Sequence, residues 1–83
     1  MIDSIDSERV RIAARKVVEK QLGYPVADDE PLVSSGLIDS LSVVQLITAL
    51  EKELNLHLPA ATLQPDDFDT IDYTVETVMR VAK

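Results

Sequence analysis

The stretch from Gly36 to Leu54 reads Gly-Leu-Ile-Asp-Ser-Leu-Ser-Val-Val-Gln-Leu-Ile-Thr-Ala-Leu-Glu-Lys-Glu-Leu. It joins a tight loop to an amphipathic helix and puts a hydroxyl, Ser40, at the junction, with the carboxylate of Asp39 just before it. The first amides of such a helix, around Leu41, Ser42 and Val43, lack an intrahelical acceptor. With the helix dipole they favour an anion, so a phosphodiester built on the Ser40 oxygen would sit beside matching charge. The plainer reading makes Ser40 an N-cap, a role that stabilises a helix by about 1 kcal/mol. Asp39 competes for that role and would leave the Ser40 hydroxyl free.

Other chemistry finds little support in the residues. A serine nucleophile elbow needs Gly-x-Ser-x-Gly, and here Ile38 and Ser42 stand at the glycine positions. The single histidine, His57, lies in a connector between Leu56 and Leu58 and reads as a half-exposed linker residue rather than a general base. Asp67-Phe68-Asp69 begins like a calcium loop, but Ile71 and Val78 occupy positions that need oxygen ligands. Asp66, Asp67, Asp69, Asp72 and Glu76 therefore read as helix caps and a solvated face, or as an attraction for basic partners. Gly23 and Gly36 are the only glycines, which excludes a glycine-rich nucleotide loop.

The chain has 83 residues, a single domain spanning 1–83. A chain of that length buries only about 60–65% of its unfolded surface. Its core is thin, and deep clefts that desolvate a substrate are hard to build, which favours a binding, carrier or adaptor role over catalysis. With 15 acids against 8 bases the net charge is −7, unsuited to nucleic acid, which attracts basic faces. There is no cysteine, hence neither disulfide nor thiolate chemistry within the chain. The acidic start, Met1-Ile2-Asp3-Ser4-Ile5-Asp6, lacks the apolar run of a signal peptide. No apolar run is long enough to span a bilayer, and the cysteine-free composition fits a cytoplasmic location, which is the expectation.

The elements that must position Ser40 follow from periodicity and caps. A first helix is predicted from Asp6 or Ser7 to Leu22, with Asp3, Ser4, Asp6 and Ser7 as candidate caps and Gly23 ending it in the left-handed region. Its core stripe is Val10, Ala13, Ala14, Val17 and Val18, with Arg9, Arg11, Arg15, Lys16, Glu19 and Lys20 on the solvated faces. A long loop, Tyr24 to Asp39, follows, and Leu32 and Leu37 are expected to pin it to the helices. A loop of that length in so small a domain is uncommon unless it is functional. The second helix, Ser40 to Leu54, carries Val43, Leu46, Ile47, Leu50 and Leu54 at core spacing, with Asn55 as its stop. Leu41 and Val44 lie off the centre of that stripe and read equally as core or as exposed surface. After a connector broken by Pro59, Gln64 to Phe68 reads as one short helical turn, with Pro65 at its first position and Phe68 as an anchor. The last helix runs from Thr70 or Ile71 to Ala82. Ile71, Val75 and Val78 face inwards, Thr74 and Met79 lie at the margins, and Arg80 and Lys83 favour the C-terminal dipole.

The run Leu37-Ile38-Asp39-Ser40-Leu41-Ser42-Val43-Val44-Gln45-Leu46 resembles the attachment motif of the acyl and peptidyl carrier proteins, whose Asp-Ser-Leu triplet opens the second helix after a long loop. The resemblance covers nearly the whole chain, including Ser35-Gly36 upstream and the short third helix. It implies an all-α, four-helix bundle of acyl-carrier-protein type, with three longer helices and one short one. It implies that a phosphopantetheinyl transferase moves 4′-phosphopantetheine from coenzyme A onto Ser40, that Asp39 helps place Mg²⁺ during transfer, and that Ser40 is more than a cap. Partner enzymes of the family read the second helix and the loop before it. Leu41, Val44, Gln45 and Thr48, with Ile38 and the short third helix as a second edge, are the expected docking residues. Fatty-acid carriers usually carry an acid just after Asp-Ser-Leu and a Glu three residues later. Here those places hold Ser42 and Gln45, and Lys52 interrupts the acids at the far end. Val-Gln-Leu-Ile is more similar to stand-alone aminoacyl carriers, including the D-alanyl carrier type.

These residues lead to one expectation. The chain is a free-standing, non-catalytic carrier that holds an acyl or aminoacyl thioester on a thiol it must borrow, since it has no cysteine. Its expected partners are the transferase, an activating ligase or acyltransferase, and a downstream transferase or synthase, and it is expected to be monomeric. A housekeeping fatty-acid carrier is the rival within the class. A helical interaction module in which Ser40 only caps is the rival outside it, and a hydrolase using Ser40 and His57 is the remotest.

Overall fold

A computed structural model describes residues 6–82. The candidate caps Asp3 and Ser4 and the terminal Lys83 lie outside them. The first helix, α1, is Ser7–Leu22, capped by Asp6, whose carboxylate accepts the Arg9 amide at 2.8 Å. Gly23 ends it at φ 84°, a left-handed conformation that costs a residue with a Cβ more than it costs glycine. The second, α2, is Ser40–Leu54, and Asn55 closes it at φ 53°. The third, α3, is Ile71–Val81, capped by the Thr70 hydroxyl, which accepts the Tyr73 amide at 2.9 Å.

The expected short helix is a single 3₁₀ turn, Pro65–Phe68, so the described residues hold three α-helices rather than four. A capping box closes its start: the Asp67 carboxylate turns back to accept the Gln64 amide at 2.8 Å. A second 3₁₀ turn, Ala60–Thr62, sits in the connector after Pro59. Among the described residues no strand is formed, and the class is all-helical.

The core stripes fall where the spacing puts them. Val10, Ala14 and Val18 of α1, Leu46 and Leu50 of α2, and Ile71 and Val78 of α3 are fully enclosed, and α1 packs against both other helices. Phe68, the largest enclosed side chain, and the fully enclosed Leu32 hold the 3₁₀ turn and the long loop onto that core. Two threonines join it. Thr74, expected at a margin, is buried and donates to the Thr70 carbonyl at 2.9 Å, and Thr77 donates to the Asp67 carbonyl at 2.9 Å. Each hydroxyl is satisfied within the backbone, which is what permits its burial.

Two arginines of α1, Arg11 and Arg15, are not simply solvated. Arg11 donates to Asp28 at 2.8 Å and to Asp72 at 2.6 Å, and Arg15 reaches Asp28, Glu19 and the Val26 carbonyl. They fasten the start of the long loop to α1 and α3. Among the described residues no helix is long and apolar enough to cross a membrane.

Candidate functional site

Ser40 occupies the first turn of α2, exposed to solvent. Asp39, not Ser40, is the N-cap: its backbone is extended and its Oδ1 accepts the Ser42 amide at 2.8 Å. With that duty taken, the Ser40 hydroxyl makes no hydrogen bond among the described residues. The Ser42 amide, followed by the Ser42 hydroxyl, holds the Asp39 carboxyl below its ordinary value, so it stays ionised beside the serine. The three amides expected to be open are reduced to one. Ser42 goes to the Asp39 carboxylate and Val43 to the Asp39 carbonyl at 3.0 Å, which leaves Leu41 without a full hydrogen bond, though its amide also acts on the Asp39 carboxylate.

The expected docking residues divide by helix geometry. Leu41, Val44, Gln45 and Thr48 follow i, i+3, i+4, i+7, so they share one face of α2. That face is turned away from the core stripe, and all four are exposed, Leu41 at 68% and Val44 at 57%. The core alternative for Leu41 and Val44 is thereby excluded. Ile38 does not join them. It is 2% exposed and packs in the core, because its amide is drawn to the Leu32 carbonyl at 2.9 Å and its side chain follows Leu32 inwards. Leu37, expected to pin the loop, is instead 39% exposed beside the site.

The loop before Ser40 is held from the far end of the chain. Asp69 accepts the Val33 and Ser34 amides, each at 2.8 Å, on one carboxylate oxygen and the Ser34 hydroxyl at 2.9 Å on the other. Its carbonyl accepts the Leu32 amide at 2.6 Å. The Ser34 amide is the main reason its carboxyl lies below the ordinary value, ahead of an opposing effect of burial. Nothing in the residue pattern pairs Asp69 with Ser34, since the partners are 35 positions apart.

His57 is remote from all of this. It follows the C-terminal end of α2 while Ser40 starts it, about 20 Å away along a helix rising 1.5 Å per residue. Its imidazole is 89% exposed and lies 3.3 Å from Glu51. A Ser40–His57 pair is excluded by that separation. Among the described residues no cluster of potential metal ligands is formed.

Comparison with known proteins bears on the same stretch. Residues 13–78 match the family model described as the phosphopantetheine attachment site. A D-alanyl carrier protein of Streptococcus sanguinis (strain SK36) is 32% identical over 65 residues, covering 76% of this chain and 82% of the relative. A D-alanyl carrier protein of Streptococcus pyogenes serotype M5 (strain Manfredo) is 38% identical over 50 residues, covering 60% of this chain and 63% of the relative, so this chain spans less than two thirds of that relative's length. No solved structure matches. The matched stretch takes in α1 from Ala13 onwards, the long loop, α2 and α3 as far as Val78, and the chain belongs to the phosphopantetheine attachment-site family.

Proposed function

We propose that this chain is a carrier protein whose 4′-phosphopantetheine is attached at the Ser40 oxygen and whose cargo is an aminoacyl group of the D-alanyl class. The observation that carries the reading is the division of labour at the start of α2: Asp39 caps, and the neighbouring hydroxyl stays exposed and unbonded. The residues fit the group. A phosphodiester on Ser40 would stand at the positive end of α2. When bound, the group supplies a terminal thiol on a flexible arm, on which the cargo is held as a thioester. Asp39, ionised and exposed, is suited to help hold Mg²⁺ during transfer from coenzyme A. The Leu41, Val44, Gln45 and Thr48 face supports docking of a transferase, an adenylating ligase and a downstream acceptor enzyme.

The cargo follows from two features. The relatives are D-alanyl carriers by name, and Ser42 and Gln45 replace the acids that a fatty-acid carrier would show. In the carrier reading the Pro65–Phe68 turn takes the place of the short third helix, giving the four-helix arrangement of the acyl-carrier type. The protein itself catalyses nothing and works as a cytoplasmic monomer that visits several enzymes.

The test is an intact mass after incubation with coenzyme A, Mg²⁺ and a broad-specificity phosphopantetheinyl transferase. The protein gains one phosphopantetheinyl group, Ser40→Ala gains none, and His57→Ala gains it as the wild type does. A folded wild-type protein that gains nothing refutes the carrier reading. The loaded form, given ATP and a D-alanine-activating ligase, then gains one alanyl group, and a fatty acyl ligase leaves it unchanged.

A further inference from the structure

We propose that Asp69 is a positioning residue for modification at Ser40: from the 3₁₀–α3 junction it latches the loop that presents the serine, so that the transferase meets one conformation of it. The inference rests on the carrier reading and goes beyond it, because Asp69 lies outside the attachment motif and touches neither Asp39 nor Ser40 by any hydrogen bond described.

The path from Asp69 to Ser40 is short and continuous. Its carboxylate accepts the Val33 amide, the Ser34 amide and the Ser34 hydroxyl at 2.8, 2.8 and 2.9 Å. Its carbonyl takes the Leu32 amide at 2.6 Å, and the Leu32 carbonyl takes the Ile38 amide at 2.9 Å. Within that frame the Gly36 amide closes on the Val33 carbonyl at 3.0 Å, with Gly36 at φ 85°, where a Cβ would be strained. Ile38 is the last residue before Asp39 caps α2, and Ser40 follows. Leu32 and Ile38 anchor the two arms of the turn in the core. Between those anchors, residues 33 to 37 are half-buried or exposed, and without Asp69 three polar groups of Val33 and Ser34 turn to water instead. The helix start keeps its own cap, so losing the latch frees the approach to Ser40 without unmaking α2.

The consequence is a matter of population. A loop that presents Ser40 correctly only part of the time raises the apparent KM by the inverse of that fraction, and leaves turnover at saturating carrier unchanged. Asp69→Ala is expected to raise the KM for phosphopantetheinyl transfer on the order of 10-fold or more with kcat unchanged. Asp69→Asn, which keeps one carbonyl oxygen for the two amides, restores most of it. Ser34→Ala, which removes only the hydroxyl bond, gives a rise of about threefold. In Asp69→Ala, amide hydrogen exchange accelerates at Val33 and Ser34 while Leu46 and Leu50 of α2 stay protected. Val78→Ala, a core truncation away from the loop, serves as the control for lost stability and leaves KM unmoved.

A folded Asp69→Ala with wild-type KM overturns the proposal, as does a Val78→Ala of matched thermal stability with an equal rise in KM. If Asp69→Ala does not fold, Ser34→Ala decides, and a wild-type KM there overturns it equally. A wild-type protein that accepts no phosphopantetheine refutes the carrier reading itself. Loading that is indifferent to Asp69 refutes this proposal alone.

Discussion

At Asp39 one carboxylate serves two ends, since Oδ1 accepts the Ser42 amide while the group stays exposed beside Ser40. The two are separable by substitution. Asparagine caps a helix about as well as aspartate, so Asp39→Asn is expected to keep the melting temperature close to wild type. It removes the charge proposed to help hold Mg²⁺, and on that proposal transfer onto Ser40 should slow by about 10–100-fold. Circular dichroism melts beside a loading time course check both halves. The depressed carboxyls of Asp39 and Asp69 also give a pH dependence of definite sign. A carboxyl lowered in the folded state contributes fully above its unfolded value, near 3.8, and the contribution is lost as pH falls through the lower folded value. Thermal stability is expected to hold from about pH 7 to 5 and to fall below about 4, and Asp69→Asn should make that fall shallower.

At the scale of elements, α2 carries core and candidate docking residues on opposite faces, and the two answer differently to truncation. Leu41→Ala and Val44→Ala remove exposed side chains, so each should change unfolding free energy by no more than about 0.5 kcal/mol. Each should raise the KM of a partner enzyme by about tenfold, the loss expected when a central apolar contact worth about 1.4 kcal/mol is removed. Chemical denaturation and partner kinetics measured side by side test the pair. The opposite pattern, a large stability loss with unchanged KM, would mean that this face packs rather than docks. The first and third helices have a different duty. Arg11 and Arg15 on α1 and Asp72 on α3 hold the Asp28 corner of the loop, and Asp69 holds its middle.

The whole molecule is held by a core in which one side chain has unusual weight. Phe68 is fully enclosed and is the largest of the core residues. Its truncation to alanine costs about 3–5 kcal/mol. A domain of this size has only about 4–12 kcal/mol of stability at 0.05–0.15 kcal/mol per residue. Phe68→Ala is therefore expected to leave a substantial unfolded fraction at 37 °C, read as lost helical circular dichroism and sharply raised protease sensitivity. A cooperative melt close to wild type would show that the 3₁₀ turn is peripheral to the fold. Because that turn leads into Asp69, the same variant should also release the long loop.

The helices, the ends at Gly23 and Asn55 and the Asp-Ser-Leu start of α2 were legible in the sequence because each is set within one or two turns of chain, while Asp6 was one of four candidate caps and Thr70 one of two. Hydrogen bonds to neighbouring residues and a 3.6-residue period need no knowledge of the rest of the molecule. The choice between Asp39 and Ser40 as cap was open in the residues, and backbone geometry decided it. Three things depended on tertiary structure because each is a relation between residues far apart. Leu41 and Val44 are exposed because α1 and the loop occupy the other side of α2. Ile38 is buried and Leu37 is not because the Leu32 carbonyl draws the Ile38 amide inwards. Asp69, to local reading a candidate cap of the last helix in an acidic run, holds the loop before Ser40 only because folding brings it against Val33 and Ser34.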